Sequence, residues 1–480
     1  MLYQLTSSRA VQQLQMLGHA VERSAGHMHT PHLGDAKGSF EVATDALASD
    51  LERLWTLRVY GGLPTQTTQA LARLAAQSTP QHLLRGAAVP PEQARAYDHR
   101  VESFWARLTG EPAPLDVNRR IQLHLPLRAG GLSAGGVEVR ADAALLAGTL
   151  GSLREVQKAA GVDTVAQLRQ ALPQHVNVMD QAVASLSQKG AKDRTRLWQS
   201  DQPQPVKGMQ RTWTREVQAR LHEHLLAAAS QRHAAAIRSA STSEASRFLD
   251  PPTAAEDKMT DKSFQTAVRR RLGLRPVPAT AQVASHCQNR RPDGSKCGEL
   301  LDNDGHHAVV CEVGGALLRR HDGLRDLIAG RLSADLSVPC LTEQRCPQFD
   351  KAKPDGTMSE ARLDIATDID GTTALIDVSV VDVFSTNLAL ERQRSRRDGA
   401  VASAMADAKR SKYPGPNVVP LVLESFGRID LTGLAWLRRA YRGQPDKLQC
   451  LLRAMSAHVQ SHTSAMVWAA SYENHCNLAL

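Results

Sequence analysis

From about residue 40 to residue 110, apolar residues recur at three- and four-residue spacing, with Leu47, Leu51, Leu54 and Leu57 the clearest series. That period predicts amphipathic helix. Residues 122–136, QLHLPLRAGGLSAGG, change character: a short apolar run predicts a strand, closed by two Gly-Gly pairs that permit tight turns. A second helical stretch is predicted over about 212–239, rich in Ala, Leu, Arg and Gln, with Pro251-Pro252 ending the region after it. Beyond Val338, short strand-like and helix-like runs alternate, so a helical first half precedes an α/β second half. No internal repeat of fixed period is present, and the first forty residues, with scattered Gly, His and Ser, are expected to be poorly ordered.

Size and charge narrow this picture. A chain of 480 residues exceeds one compact core and predicts two or three domains. Lys and Arg outnumber Asp and Glu by 58 to 49, giving +9 and a pI near 9.3, which favours a polyanionic partner such as nucleic acid. The first residues, MLYQLTSSRAVQQLQ, lack the layout of a signal peptide, and no run reaches the roughly 18 apolar residues that span a bilayer. A soluble, intracellular protein without a membrane partner is expected. Of seven cysteines, Cys287, Cys297, Cys311, Cys340 and Cys346 crowd with histidines into one region, which suits metal binding in a reducing compartment better than a disulfide framework.

Within that region Cys287, Cys297, His307 and Cys311 have the composition of a Cys₃His site, with nine, nine and three residues between successive ligands. Four such groups can surround one tetrahedral Zn²⁺. The intervening NRRPDGSKCGELLDNDGHH carries Pro292, Gly294, Gly298 and Gly305 and little apolar matter, so a structural Zn²⁺ would supply the missing stability. His306 competes with His307 for the ligand role. Arg290, Arg291 and Lys296 lie in the same loop, where a metal-stapled module would hold them towards phosphates.

From Arg362 the chain reads RLDIATDIDGTTALIDVSVVDV, two strand-like runs joined around Asp370-Gly371, a strong hairpin signal. Arg362, Asp364, Ala366 and Asp368 share one face by period-two alternation. Residues 374–383 are nearly continuous β-branched and apolar sequence, as in a buried central strand, yet contain Asp377. A carboxylate buried there needs a basic residue or a metal ion. Asp364 and Asp377 on adjacent strands can bind Mg²⁺ or Mn²⁺ through oxygen, the chemistry of a phosphodiester nuclease, with a nearby lysine orienting the attacking water. Glu343, in the strand-like CLTEQRCPQF, adds a third carboxylate; Lys409 and Lys412, near the end of a predicted helical run over 388–413, are the available ammonium groups. Pro354-Asp355, beside Gly356, reads as a turn signature instead.

The order of these motifs resembles that in non-LTR retrotransposon reverse-transcriptase polyproteins with a carboxy-terminal restriction-like endonuclease. The resemblance spans roughly residues 60–445 and rests on LLRGAAVPPEQARAYDHRV, LPLRAGGLSAGG, SASTSEASRFLDPP, FQTAVRRRLGL, GHHAVVCEVGGALLRRHDGLRDLI, the RLDI and LIDVSVVD strands, and PLVLESFG. It implies that Cys287, Cys297, His307 and Cys311 are zinc-knuckle ligands, with His307 favoured over His306. It also implies that Glu343, Asp364 and Asp377 fall on the acidic positions of the PD-(D/E)XK superfamily, whose core is a mixed sheet flanked by helices. Leu363 stands where that motif has Pro, and Ser379 where it has Lys, so the lysine role passes to Lys409 or Lys412. No Tyr/Phe-x-Asp-Asp occurs, so nucleotide addition is not expected.

The expectation is therefore an α+β multidomain protein: a helical region resembling the part after the polymerase palm (1–155), a helical linker (156–265), a zinc knuckle (266–315), a restriction-like endonuclease (316–445) and a helical tail (446–480). Its implied function is binding nucleic acid and nicking target DNA, with DNA, element RNA and a polymerase-bearing element protein as partners in the nucleus. The alternative is a decayed copy that binds nucleic acid without cutting it.

Overall fold

A computed structural model describes residues 36–111, 114–192, 207–352 and 358–472. Most of the first thirty-nine residues and the Pro354-Asp355-Gly356 turn lie outside them. The described chain is mainly helical, with a small mixed sheet in its second half.

The leucine series of the first stretch is real. Helix Ala36–Tyr60 buries Phe40, Leu47, Leu51 and Leu54, with Leu57 half-buried at the end of the stripe. They meet Tyr97, Val101, Phe104, Trp105 and Leu108 of helix Pro91–Thr109, which starts with Pro at its first turn and stops at Gly110, φ +68°. The same core takes in Phe248, Phe264 and Leu272. A second cluster, from Ala143 to Val217, packs Leu146, Leu168, Met179 and Trp213 together.

Residues 122–136 do not form the predicted strand. Asp116 caps helix Val117–His124 by accepting from Arg119 N–H, and a single 3₁₀ turn, Leu127–Ala129, follows. The turn folds back so closely that a Cβ on Gly131 would lie 2.1 Å from the Leu125 carbonyl oxygen, so the glycines serve close packing rather than a hairpin. Gln122, polar but fully buried, donates to the Gly130 and Arg271 carbonyls. The two long helical predictions each break once. Residues 212–239 divide into Met209–Ala228 and Gln231–Ala240, the second capped by Ser230. Residues 388–413 divide into Leu388–Arg394 and Ala400–Lys412, where Gly399 at φ +67° makes the break.

Four strands build the sheet: β1 (Cys340–Arg345), β4 (Arg362–Ile369), β5 (Thr372–Val381) and β6 (Val418–Glu424), in the order β1-β4-β5-β6. Between β1 and β4 lie β2 (Lys351–Ala352) and β3 (Met358–Ser359), which pair only with each other. The pairs β1/β4 and β4/β5 are antiparallel and β5/β6 is parallel. Asp370 (φ +54°) and Gly371 (φ +72°) turn the β4–β5 hairpin, the backbone that Asp-Gly predicts. One face packs Ile365, Ile376, Val378 and Leu421 on Leu324, Ile328 and Leu332 of helix Ala316–Leu336 and on Leu451 and Met455 of helix Pro445–Ser471. The other face sets Val381 and Val422 against Ala402 and Ala406 of helix Ala400–Lys412.

Hydrophobic packing crosses the sequence positions 155, 265 and 445. The first core joins residues before 145 to residues 248–274, and helix Pro445–Ser471 is buried along most of its length against the sheet's helix, the first core and the cysteine module.

Candidate functional site

Two clusters stand out, and both begin in local geometry. Cys287 and Cys297 sit on facing arms of a short hairpin: Cys287 N–H donates to Glu299 O (2.8 Å) and Cys297 N–H to Asn289 O (2.7 Å). Its tip turns at Gly294 (φ +84°), with Asp293 accepting from Ser295 N–H. Asp302 then caps the short helix His306–Val310, accepting from His306 N–H (2.9 Å) and His307 N–H (2.8 Å). That helix delivers His307, and Cys311 lies at its C-terminal cap.

The four groups meet. Cys287 Sγ and Cys297 Sγ each lie 3.8 Å from Cys311 Sγ, and His307 Nε2 lies 3.5 Å from Cys297 Sγ. All four ligand atoms fall within 4.8 Å of one another, an arrangement that can hold a metal ion. His306 turns away, its Nδ1 2.6 Å from Asp382 Oδ2, so that His307 is the histidine that joins the three cysteines. Burial pushes the Cys287 thiol up to about 12. Arg290 and Arg291 are exposed near the hairpin tip, braced on the Gly294 and Lys296 carbonyls; Lys296 is half-buried. The module is less bare of apolar support than its loop sequence implies. Val309 and Cys311 pack on Val467, Trp468 and Ala470 of helix Pro445–Ser471.

The second cluster lies where β4 and β5 part. Their pairing runs to Ile365↔Ile376; one step further, the register sets Asp364 opposite Asp377. There the Asp364 carboxylate replaces the ladder, accepting from Val378 N–H at 2.6 Å. Since Ile376 and Val378 face helix Ala316–Leu336, alternation turns Asp377 towards helix Ala400–Lys412. Ala402 and Ala406 let that helix approach closely, and Lys409 continues their stripe at i+7 and i+3. Its Nζ lies 2.6 Å from Asp377 Oδ1. Lys412 is off this stripe, exposed, with its ammonium 4.7 Å from the Tyr413 ring centre.

Two residues that sequence reasoning gave no role join the cluster. His321 shares the helical stripe of Leu324 and Ile328, and its Nε2 lies 3.3 Å from Asp364 Oδ2. Arg325, one turn further, pairs with Glu343 and with Asp322 (3.3 Å). The register also sets Glu343 opposite Asp364, between the pairs Thr342↔Ile365 and Gln344↔Leu363. Glu343 adopts φ +53°, though, and its carboxylate remains half-exposed on Arg325. The only signal for His321 was the Arg-His-Asp of LLRRHDGL.

Electrostatics separate the two aspartates. Burial, followed by the Asp364 charge, pushes the Asp377 carboxyl above the ordinary range against the pull of Lys409. Burial also acts on Asp364, but His321, the Val378 N–H and Lys409 outweigh it and hold that carboxyl below the ordinary range. Hydrogen bonding to Asp364 in turn pushes His321 up to about 9. The site is thus two buried carboxylates held by two cationic side chains from different helices.

No protein-family model matches the chain, and no curated protein matches it. Among the described residues no helix is long and apolar enough to cross a membrane.

Proposed function

We propose that this protein binds nucleic acid and nicks duplex DNA by metal-dependent phosphodiester hydrolysis, as a relative of the non-LTR retrotransposon endonucleases. One observation carries the reading: Lys409 Nζ sits 2.6 Å from Asp377 Oδ1 and 3.4 Å from the Val378 carbonyl, next to Asp364, so an amine from a neighbouring helix stands at the acidic pair although the motif lysine is replaced by Ser379. The helix-flanked mixed sheet agrees with a restriction-like core. Asp364 and Asp377 fit a hard cation: both are buried, they repel each other, and a shared cation would relieve the repulsion that raises Asp377. Bound there, Mg²⁺ or Mn²⁺ would polarise the scissile phosphate and acidify a water. The chain's own groups do the rest. Lys409 holds a water or phosphate oxygen against Asp377; protonated His321 keeps Asp364 ionised; Arg325 anchors Glu343 at the rim.

The cysteine cluster supports structural zinc. A tetrahedral Zn²⁺, with bonds of about 2.3 Å to sulfur and about 2.0 Å to nitrogen, holds sulfurs about 3.8 Å apart and sulfur about 3.5 Å from nitrogen. The observed separations of 3.8 and 3.5 Å match. DNA, with element RNA and a polymerase-bearing protein of the same element, remains the proposed partner set, and the nucleus the proposed location.

The test is nicking of supercoiled plasmid with Mg²⁺ or Mn²⁺. Wild type should nick, Ca²⁺ should not support the reaction, and Asp364→Asn or Asp377→Asn should abolish nicking while leaving DNA binding intact. A second reading, a copy that only binds, draws on Ser379. Wild type that binds DNA but nicks nothing under these metals replaces the enzyme reading with it.

A further inference from the structure

A groove of about 1580 Å³ opens in the helical half, among residues 77–218, on different elements from either cluster above. Helix Met209–Ala228 buries Trp213 and Val217 in the second core and turns Arg211, Arg215 and Gln218 into the groove. Lys207 precedes that helix, and Arg128 comes from the LPLRAGG turn. All four cations are exposed, and among the described residues no acidic side chain pairs with any of them. Among the described residues, no Asp or Glu lines the groove. A neighbouring cavity of about 530 Å³ makes the contrast: Asp98, Glu102 and Glu138 line it and balance its cations.

The remaining walls narrow the ligand. The groove exceeds the roughly 300–1,000 Å³ of small-molecule sites, and among the described residues its walls are mostly polar side chains and glycine, with Val139, Ala147 and Met209 the only apolar side chains. Among the described residues its lining includes no Phe, Tyr or Trp, so these walls supply neither the aromatic anchor of a protein interface nor a platform for unstacked bases. Glycines fill much of the wall, and among the described residues nothing lies within 4 Å of a Cβ on Gly86, Gly151 or Gly208, which leaves room for a bulky backbone to approach. The helix start at Val137 is not the attraction: Asp98 already accepts from Val137 and Glu138 N–H. The loop is instead pinned as a wall, by Gln77 Nε2 donating to Ser133 O (2.6 Å) and Arg140 Nε to Gly136 O (3.0 Å).

We infer that this groove holds the phosphate backbone of a nucleic-acid duplex, without reading its bases, through Arg128, Lys207, Arg211 and Arg215. This deepens the nucleic-acid part of the reading above but is independent of cleavage.

The test measures binding of a short fluorescein-labelled DNA duplex, at several salt concentrations, to the full chain and to an Arg128→Ala, Arg211→Ala, Arg215→Ala variant. The exposed side chains permit folding, checked by circular dichroism. Each lost phosphate contact reduces the slope of log affinity against log salt by about 0.9, so the triple variant's slope should fall by about 2.7 and its low-salt affinity should drop at least tenfold. A scrambled duplex should bind equally, and an Arg154→Ala, Lys158→Ala control, which removes exposed cations outside the groove, should keep the wild-type slope. The inference is overturned by a triple variant with wild-type affinity and slope, by an equal loss in the control, or by a loss confined to single-stranded DNA. Groove-dependent binding without nicking overturns only the nuclease reading; nicking by a protein whose groove variants bind normally overturns only this one.

Discussion

Arg271 is fully buried with no acidic partner among the described residues, and burial pulls its guanidinium down to about 9. It donates to the Gly131, Leu127 and Ala240 carbonyls and to Ser246 Oγ. Three separate motifs, LPLRAGG, SASTSEASRFL and FQTAVRRRLGL, are therefore knotted by one planar fork. Arg269 is similarly held, by Glu111 and the Thr109 and Arg275 carbonyls. This arginine run is structural rather than a phosphate contact. Arg271→Lys should cost about 3 kcal/mol in urea unfolding, because a single ammonium leaves buried carbonyls unpaired. A loss within about 0.5 kcal/mol would mean that water or side-chain shifts satisfy them. At the carboxylate site, Lys409→Ala should lower nicking by about 100-fold or more, whereas Lys412→Ala should leave it nearly unchanged. Equal effects of the two on initial nicking rates would remove the special role of the amine beside Asp377.

At the level of elements, the cysteine module is a hairpin and one short helix clamped on helix Pro445–Ser471 by Ala284 N–H to Ser471 O (3.0 Å) and Gln288 N–H to Ala470 O (2.9 Å). Stripping metal with a chelator should therefore loosen both partners. Amide exchange should rise over 284–311 and 463–471 but not over 40–108, and zinc in excess should restore at least about 3 kcal/mol of stability. Unchanged exchange after chelation would show that the four ligand atoms meet without a metal. This module was legible in sequence because its ligands fall in one short stretch, and the β4–β5 hairpin because Asp-Gly states its own turn. What stayed hidden depends on long-range packing. His321 reaches Asp364 from 43 residues away, and the choice between Lys409 and Lys412 needs the helical phase that Ala402 and Ala406 set against the sheet. The 122–136 segment misled because an apolar run with glycines suits a strand and a tightly packed turn equally well.

At the scale of the whole molecule, half-buried histidines should couple the fold to pH. His233, its ring against Gly273 and its Nε2 2.9 Å from Gln122 Oε1, is pushed down to about 4 by burial and then by Arg119. His462, stacked 4.0 Å from His458 on helix Pro445–Ser471, is likewise pushed down to about 4 by burial, then by His458 and Arg320; His458 is lowered by burial as well. One sits between the helical cores and the other between the sheet's helix and its neighbour, so acid acts on both halves. A histidine with a depressed folded pKa contributes stability that is fully present above the unfolded value of about 6.5 and is lost as pH falls towards the folded value, because there the unfolded chain binds the extra proton. At pH 5 the loss for His233 amounts to about 2 kcal/mol, with a smaller share from the more accessible His462. Urea unfolding at pH 7.5 and pH 5 should therefore show a marked drop for wild type and a smaller one for His233→Gln, whose amide keeps a hydrogen-bonding group near Gln122 but takes up no proton. The comparison is between slopes, so a fixed packing cost in the variant does not disturb it. If the variant loses as much stability as wild type between these two values, acid sensitivity arises in other groups and His233 is already protonated, or already exposed, in the folded protein.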